Sequence, residues 1–267
     1  MAYLIAPLYM ITALLAVIFS YPCRHAAWMF ALPILISAVI PPIPSPWAIR
    51  MLGPMKDYFD YEEIHETSPI NVAKEMLKGK NYLCVFQPHG VLSYAGICSV
   101  IGASPEYQGK LKTAVADALL YTPILKHVMG IFGLISAKKS SMKKTLRKPG
   151  VSGTIVLYVG GMAELFLSSE KEEVLYINKR KGFIKLALTE GVDVVPVYLF
   201  GNTGALSVLK TGFLTALSRS LQVSFTYIWG KYYLPIPRDC KVSVLKVYYS
   251  LCAIDCLLSH QKFLFRL

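Results

Sequence analysis

The stretch YLCVFQPHG at residues 82–90 is an apolar run that ends in a polar turn. Tyr82–Phe86 predicts a buried β-strand, because a short continuous apolar run is typical of a strand covered on both faces. Pro88 and Gly90 favour a fixed turn around His89, since proline restricts the backbone and glycine permits sharp bends. We therefore expect His89 at the carboxyl end of a strand, where α/β sheets bind ligands.

Strands and helices alternate along the rest of the chain. Further buried strands are predicted at Thr154–Val159, Val192–Phe200 and Val223–Trp229. Helices are predicted from Pro69 to about Lys78, over Ala114–Gly130 with a bend or break at Pro123, and over Arg180–Glu190 with Gly191 as its stop. This alternation predicts the α/β fold class, with a mainly parallel sheet flanked by helices.

The 267-residue chain is both apolar and basic. Hydrophobic residues make up 54% and charged residues 16%, whereas soluble domains carry about a quarter charged residues. The net charge of +12 favours anionic partners. Because the sequence has no zinc-finger or basic-zipper spacing and no recognisable reading helix, nucleic acid is not the predicted partner. The composition instead predicts a membrane-contacting face and a phosphate-bearing ligand.

Two apolar runs precede the first acidic residue, Asp57. Tyr3–Ser20 and Ala26–Ile40 flank a short polar break, which contains Arg24. A signal peptide is disfavoured, because the first run lacks a basic start and a second run follows at once. The runs predict an N-terminal membrane helical hairpin with the basic body on the cytosolic side. Their lengths leave open whether the hairpin spans the bilayer or dips into one leaflet.

A proline-rich segment at residues 41–46 predicts a stiff linker and divides the chain. Residues 1–46 form the predicted hairpin and linker, 47–240 the α/β domain, and 241–267 an atypical apolar C-terminal tail. Cys252, Cys256 and His260 in the tail have helical spacing. That spacing favours an apolar helix face over a metal site, and we predict no metal.

His89 is the first candidate for chemistry. A neutral imidazole can accept a proton from an alcohol, and the resulting oxygen nucleophile could attack a thioester. The alternative is a structural histidine in a turn.

Glu164 is the second candidate, in the motif GGMAE at residues 160–164. This motif follows the second predicted strand as the His89 turn follows the first. Gly160 and Gly161 allow a sharp turn and close approach of the backbone to a ligand. Glu164 could orient His89, hold an acceptor or balance charge. The alternative is a solvated carboxylate at an ordinary strand-to-helix turn.

Basic residues form two candidate anion sites. The segment NKRKGF at residues 178–183 opens a predicted helix, and free amides at a helix start bind anions such as the phosphates of CoA. A second cluster is equally consistent with CoA binding and with a solvated or membrane-facing surface. Its members are Lys138, Lys139, Lys143, Lys144, Arg147 and Lys148.

Several enzyme classes are disfavoured by missing motifs. The sequence has no G-x-S-x-G elbow, which disfavours an α/β-hydrolase type of lipase. It has no Walker A motif and no G-x-G-x-x-G motif, which argues against a kinase or a dinucleotide-dependent enzyme.

Together the motifs resemble the diacylglycerol acyltransferase type 2 family, which includes monoacylglycerol and wax-alcohol acyltransferases. The family blocks are His-Pro-His-Gly, Gly-Gly-x-x-Glu and Arg-Lys-Gly-Phe, the last leading to a Val-Pro-x-Tyr-x-Phe-Gly strand. They correspond here to residues 87–90, 160–164, 180–183 and 195–201. The resemblance covers roughly residues 1–237 and implies a glycerolipid acyltransferase-like α/β domain.

The resemblance implies a reaction, a location and roles for residues. It implies acyl-CoA as donor and substrate, no separate cofactor, diacylglycerol or a related neutral lipid as acceptor, and no covalent intermediate. It implies a location at endoplasmic reticulum or lipid-droplet membranes with the domain facing the cytosol. It leaves open whether the chain forms a homo-oligomer. His89 would be the catalytic base and Glu164 a supporting residue. Predicted substrate-binding residues are Gln87, Pro88, Gly90, Gly160, Gly161, Asn178, Arg180, Lys181, Gly182 and Phe183.

Two features depart from the family pattern. Gln87 replaces the first histidine of the first block, and glutamine can hydrogen-bond but cannot titrate. Residues 241–267 differ from the usual charged terminal segment. Three hypotheses follow: an acyltransferase, a catalytically inactive membrane-bound paralogue that binds lipid or partner enzymes, and, less favoured, a lipid hydrolase.

Overall fold

The computed structural model describes residues 2–19, 24–105, 107–167, 173–210, 212 and 226–247. The helices are α1 Ala2–Phe19, α2 Arg24–Val39, α3 Pro46–Met51, α4 Pro54–Tyr58, α5 Pro69–Leu77, α6 Tyr94–Gly102, α7 Asp117–Tyr121, α8 Leu125–Gly130, α9 Lys139–Leu146, α10 Met162–Leu167 and α11 Gly182–Glu190. The strands are β1 Glu62–His65, β2 Tyr82–Gln87, β3 Lys112–Val115, β4 Leu134–Ser136, β5 Ile155–Tyr158, β6 Asp193–Phe200, β7 Ser207–Val208, β8 Ile228–Trp229 and β9 Ser243–Lys246.

Within the described residues, seven strands form one mixed sheet in the order β1-β9-β6-β2-β5-β3-β4. The five adjacent strands β6, β2, β5, β3 and β4 are parallel to one another. β9 runs antiparallel to β6 and pairs in parallel with β1. Helices cover both faces, so the predicted α/β class with mostly parallel strands is confirmed. The central strand β2 ends at the predicted site.

Side chains that alternate along β2 build two separate cores. Tyr82 and Phe86 pack on the face covered by α4, α5 and α6. Leu83 and Val85 pack on the opposite face, against α9 and α11. Each fully buried aliphatic side chain contributes about 1.5–3 kcal/mol. The two cores therefore hold β2 from both sides.

The predicted helix over Ala114–Gly130 is wrong at its start and interrupted in its middle. Ala114 belongs to β3, which pairs with β4 and β5. Pairing with two neighbouring strands overrides the weak helix preference of this short segment. The predicted break near Pro123 is present, because α7 and α8 are separate helices.

The structure differs from two predictions near the carboxyl end of the chain, which are the extent of a strand and the end of the α/β domain. Of the strand expected at Val223–Trp229, residues 228–229 form β8 in a small antiparallel sheet with β7, and residues 223–225 lie outside the described residues. β9 lies inside the segment assigned to a separate tail, yet it sits between β1 and β6 with Val244 fully buried. The domain therefore extends beyond residue 240. The proposed apolar face at Cys252, Cys256 and His260 lies outside the described residues.

Helices α1 and α2 pack against each other as a hairpin. The hairpin also contacts the body, because the Lys126 ammonium donates to the Ala38 carbonyl at 2.8 Å and the Ile124 N–H donates to the Ser37 hydroxyl. None of the helices in the described part of the chain is both long and apolar enough to cross a membrane.

Candidate functional site

The two predicted catalytic residues meet at the carboxyl ends of β2 and β5. His89 is half-buried just beyond β2, and Glu164 lies in the first turn of α10, which follows β5. The backbone N–H of His89 donates to Oε2 of Glu164 at 2.8 Å. Glu164 thus binds the backbone of the His89 turn and fixes the position of the loop that carries the imidazole.

Among the described residues, the imidazole of His89 makes a hydrogen bond through one of its two nitrogens. Nδ1 lies 2.8 Å from the carbonyl oxygen of Gly90. A carbonyl can only accept, so Nδ1 carries the proton in this contact and the lone pair is on Nε2. Nε2 is therefore the nitrogen suited to accept a proton from a substrate.

Glu164 is a fully buried carboxylate that accepts two backbone hydrogen bonds. Besides the His89 N–H, its Oε1 accepts the N–H of Tyr176 at 3.1 Å. Burial raises the pKa of Glu164, and the two backbone donors partly oppose that shift. The alternative interpretation of Glu164 as a solvated carboxylate is wrong. Glu164 instead joins the His89 turn to Tyr176, which lies just before the predicted CoA-binding segment.

The two glycines before α10 serve different geometric needs. A Cβ on Gly160 would lie 1.8 Å from Cδ of Glu164, so only glycine leaves room for the buried carboxylate. Gly161 has φ +53°, in the left-handed region that side chains disfavour. The Gly-Gly pair therefore permits both the turn and the inward position of Glu164.

Asn202 holds the His89 turn from its other side and was not predicted. It follows β6, and its Nδ2 donates to the His89 carbonyl at 2.9 Å. Its Oδ1 accepts the N–H of Ala95 in α6 at 3.2 Å. Gly90 is packed so closely that a Cβ there would lie 2.6 Å from Asn202 Nδ2. The one signal for Asn202 in the sequence was its position just after a predicted strand, where site residues of α/β sheets lie.

Tyr158, the last residue of β5, faces the imidazole and was also missed. Its ring meets that of His89 edge to face, with centroids 5.0 Å apart. Burial raises the pKa of Tyr158 to about 12, with the Ser93 hydroxyl opposing the shift. The phenol therefore stays neutral at physiological pH. Together with Phe86, whose ring centroid lies 5.5 Å away, it forms an aromatic wall beside His89.

A second carboxylate, Glu173, organises the neighbouring loop. It accepts the Tyr198 hydroxyl at 2.6 Å and the Thr203 hydroxyl at 2.8 Å. Burial, followed by the contact with Glu173, raises the pKa of Tyr198. These bonds anchor the start of the 173–181 loop to the end of β6. Sequence reasoning did not single out Glu173, because the charged run EKEE at residues 170–173 resembles a solvated surface.

Gln87 lies at the end of β2, with Tyr198 as its register partner on β6. Its Oε1 is buried and has no hydrogen-bond partner among the described residues. An unpaired buried acceptor costs about 1–3 kcal/mol. A ligand with a donor group could satisfy it. The neighbouring Pro88 is buried within the turn.

The predicted CoA segment lies at the start of α11. Asn178, Arg180, Lys181 and Gly182 are exposed, whereas Phe183 packs against the core. The Arg180 guanidinium lies 5.5 Å from the ring centroid of Tyr176, whose N–H binds Glu164. The exposed basic segment is thus linked to the buried carboxylate through one residue.

The second basic cluster is partly neutralised by acidic neighbours. Lys143 on α9 and Arg147, which directly follows α9, pair with Glu190 at 2.9 and 3.0 Å, which joins α9 to α11. Lys138 pairs with Asp117. These three cations therefore have acidic partners, although Lys138 and Arg147 are as exposed as Lys139, Lys144 and Lys148. In the described part of the chain, no three His, Cys, Asp or Glu side chains group closely enough to hold a metal ion.

The raised pKa of Glu164 predicts a pH dependence of stability. Between the ordinary pKa of 4.5 and its higher folded-state pKa, the folded chain binds more protons than the unfolded chain. The free energy of unfolding should therefore fall as pH rises through this window and level off above it. Glu164→Gln, which cannot titrate, should lack this fall. Unfolding temperatures in detergent from about pH 4 to pH 8 test this, and parallel curves for the two proteins would contradict it.

Comparisons with known proteins agree with these motifs. The family model described as diacylglycerol acyltransferase matches residues 55–236. Human 2-acylglycerol O-acyltransferase 3 is 31% identical over 149 residues, which are 53% of this chain and 44% of that protein. Diacylglycerol O-acyltransferase 2 of Danio rerio is 30% identical over 55% of this chain and 40% of its own length. Acyl-CoA wax alcohol acyltransferase 2 of Mus musculus is 29% identical over 55% of this chain and 45% of its own length.

In these matches the chain spans less than half the length of the curated relatives. No solved structure matches the chain significantly. The family model covers more than half of the chain and includes every motif from the His89 turn to the start of α11. The chain therefore belongs to the diacylglycerol acyltransferase family, type 2.

Proposed function

We propose that the chain transfers a fatty acyl group from acyl-CoA to the free hydroxyl of diacylglycerol and so forms triacylglycerol. The observation that carries this proposal is the imidazole of His89, which is half-buried at the end of the central strand and has Nδ1 bound to the Gly90 carbonyl, so that Nε2 carries the lone pair. Its turn is fixed on one side by the buried Glu164 and on the other by Asn202. Such a fixed site suits general-base chemistry.

In the proposed reaction, Nε2 of His89 takes the proton of the acceptor hydroxyl. The oxygen attacks the thioester carbonyl carbon, the carbon–sulfur bond breaks, and the CoA thiolate leaves and takes up the proton from the imidazolium. Backbone amides near Gly90 or Gly161 would stabilise the oxyanion. Glu164 and Asn202 would act as positioning residues for the His89 turn. The reaction needs no metal and no covalent intermediate.

For the donor, we propose that the 178–183 segment holds the phosphates of CoA. The segment is exposed, contains three consecutive basic residues and leads into the start of α11. A helix start with basic side chains attracts phosphates. Its link to Glu164 through Tyr176 would place the thioester near His89. We further propose an endoplasmic reticulum membrane location with the domain facing the cytosol, and lipid droplets as a second location.

Two alternatives rest on specific observations. The relatives include enzymes named for 2-acylglycerol and wax alcohol, which favours monoacylglycerol or a long-chain alcohol as alternative acceptors. Gln87, with its unpaired Oε1 at the position of a family histidine, favours a catalytically inactive membrane-bound paralogue.

Product analysis separates these functions. The unmutated chain is expressed in membranes that lack other acyltransferases and is given labelled acyl-CoA with diacylglycerol, monoacylglycerol or a long-chain alcohol. We expect labelled triacylglycerol. No labelled ester with any acceptor would support the inactive paralogue, and labelled free fatty acid formed without an acceptor would indicate a hydrolase.

A further inference from the structure

The short helix α3 presents an apolar face outward. Ile49 is fully buried and packs with Ile101 and Phe132 of the body, so the helix is fixed in orientation. Trp47 and Met51, one turn apart, are 69% and 63% exposed on its outer side. A helix at a water-facing surface normally directs charged and polar residues outward. The outer face of α3 therefore suits an apolar environment.

The exposed apolar surface continues along the chain from the hairpin to α3. Val39 at the end of α2 and Ile43 in the linker are both strongly exposed. Ile43 is followed by the Ser45 cap of α3, whose hydroxyl accepts the Ala48 N–H at 3.3 Å and sets the start of the helix. Large exposed apolar residues thus recur from the end of α2 through the linker to the outer face of α3.

A second exposed element is an aromatic turn at residues 231–234. Tyr232 and Tyr233 are 84% and 78% exposed, and both have φ of 56°, in the left-handed region. Backbone hydrogen bonds from Gly230 N to Leu234 O at 2.7 Å and from Lys231 N to Ile236 O at 2.8 Å close the turn. Strained residues persist where the surrounding structure fixes them. The two tyrosine rings are therefore held outward by a rigid turn.

The aromatic turn is joined to the segment that follows α3. The Tyr58 hydroxyl of α4 donates to the Pro237 carbonyl at 2.6 Å, and the Lys231 ammonium lies 5.2 Å from the centroid of the Tyr58 ring. We call the combined surface the aromatic face. It consists of Ile43, Trp47, Met51, Tyr58, Tyr232 and Tyr233.

We propose that the aromatic face is a membrane-docking surface that rests in the headgroup region of an anionic lipid layer. Tryptophan and tyrosine favour this region, because their rings are apolar and their N–H and O–H groups stay hydrated. Arg50, exposed on α3 between Trp47 and Met51, can reach lipid phosphates. The chain as a whole, with a net charge of +12, is attracted to an anionic surface. The proposal rests on exposure and charge and does not depend on the acyl-transfer reaction.

Tryptophan fluorescence with brominated lipid tests this placement. The chain has three tryptophans, and the double variant Trp28→Phe/Trp229→Phe leaves Trp47 as the sole reporter. The protein is bound to phosphatidylcholine vesicles that contain phosphatidylserine, and binding is verified by flotation. We expect Trp47 emission to shift to shorter wavelength and to lose intensity when dibrominated phosphatidylcholine replaces the ordinary lipid. Tyr233→Trp, in a background with all three tryptophans changed to phenylalanine, should respond in the same way.

The matched control places a reporter on the opposite layer of the domain. Leu188 is an exposed apolar residue on α11, which packs on the other face of the sheet. Leu188→Trp in the same tryptophan-free background should show neither the shift nor the quenching. Equal quenching at both positions, or unquenched Trp47 in vesicle-bound protein, would overturn the proposal, and so would failure of the protein to float with the vesicles. If Trp47 were shielded from acrylamide in the absence of vesicles and brominated lipid had no effect, a second copy of the chain would cover this face. That result would also overturn the proposal.

Discussion

Replacement of His89 by alanine is expected to lower the rate of acyl transfer by about 10²–10⁴-fold, the range of general acid–base catalysis. The substitution removes Nε2, the proposed proton acceptor. The fold around the turn should survive, because His89 contacts Glu164 and Asn202 through its backbone N–H and carbonyl, which alanine retains. We therefore expect loss of rate with little change in the unfolding temperature.

Initial rates with labelled acyl-CoA and diacylglycerol, in membranes lacking other acyltransferases, measure the effect of His89→Ala. His65→Ala is the matched control, since His65 is a half-buried imidazole of the edge strand β1, and it contacts Glu63 at 3.2 Å. The control should retain the rate. If His89→Ala turned over as fast as the unmutated chain, His89 would not be the base.

The central strands could be predicted because they are buried on both faces. The apolar runs at β2, β5 and β6 each pack against helices above and below, so a continuous hydrophobic pattern is required there. β3 and β9 could not be predicted in the same way. Each is short and carries a lysine, and each is a strand because of the partners beside it in the sheet. Such partners come from distant parts of the chain, and no local pattern reports them.

The candidate site could be predicted as a neighbourhood but not in its contacts. His89 and Glu164 follow adjacent parallel strands, and the carboxyl ends of such strands share an edge of the sheet. Sequence reasoning could not tell that Glu164 binds the backbone of His89 and not its ring. Asn202 and Tyr158 were missed for a related reason. Each lies at the end of a strand whose pattern reports burial and gives no sign of which side chain turns toward the imidazole.

Replacement of Glu164 by alanine is expected to affect both stability and two kinetic parameters. The backbone N–H groups of His89 and Tyr176 would lose their shared acceptor, and each unpaired donor costs about 1–3 kcal/mol. The His89 turn would then be free to shift, and a displacement of about 1 Å can cost 10²-fold in rate. Release of Tyr176 would also loosen the loop that carries Arg180. We therefore expect kcat to fall by about 10²-fold and KM for acyl-CoA to rise, whereas His89→Ala should lower kcat alone.

Two further variants test the hydrogen bonds of the carboxylate and its position separately. Glu164→Gln keeps the size of the side chain but has one acceptor oxygen, so one backbone N–H must face the amide NH2, and the losses should be intermediate. Gly160→Ala leaves Glu164 intact but places a Cβ 1.8 Å from its Cδ, so it should displace the carboxylate and reproduce both kinetic effects. Circular dichroism melts and steady-state kinetics on the three variants measure these effects. An unchanged unfolding temperature and an unchanged KM in Glu164→Ala would show that the carboxylate does not join the His89 turn to the donor loop. In that case the two halves of the proposed site would have to be positioned independently, by Asn202 on one side and Glu173 on the other.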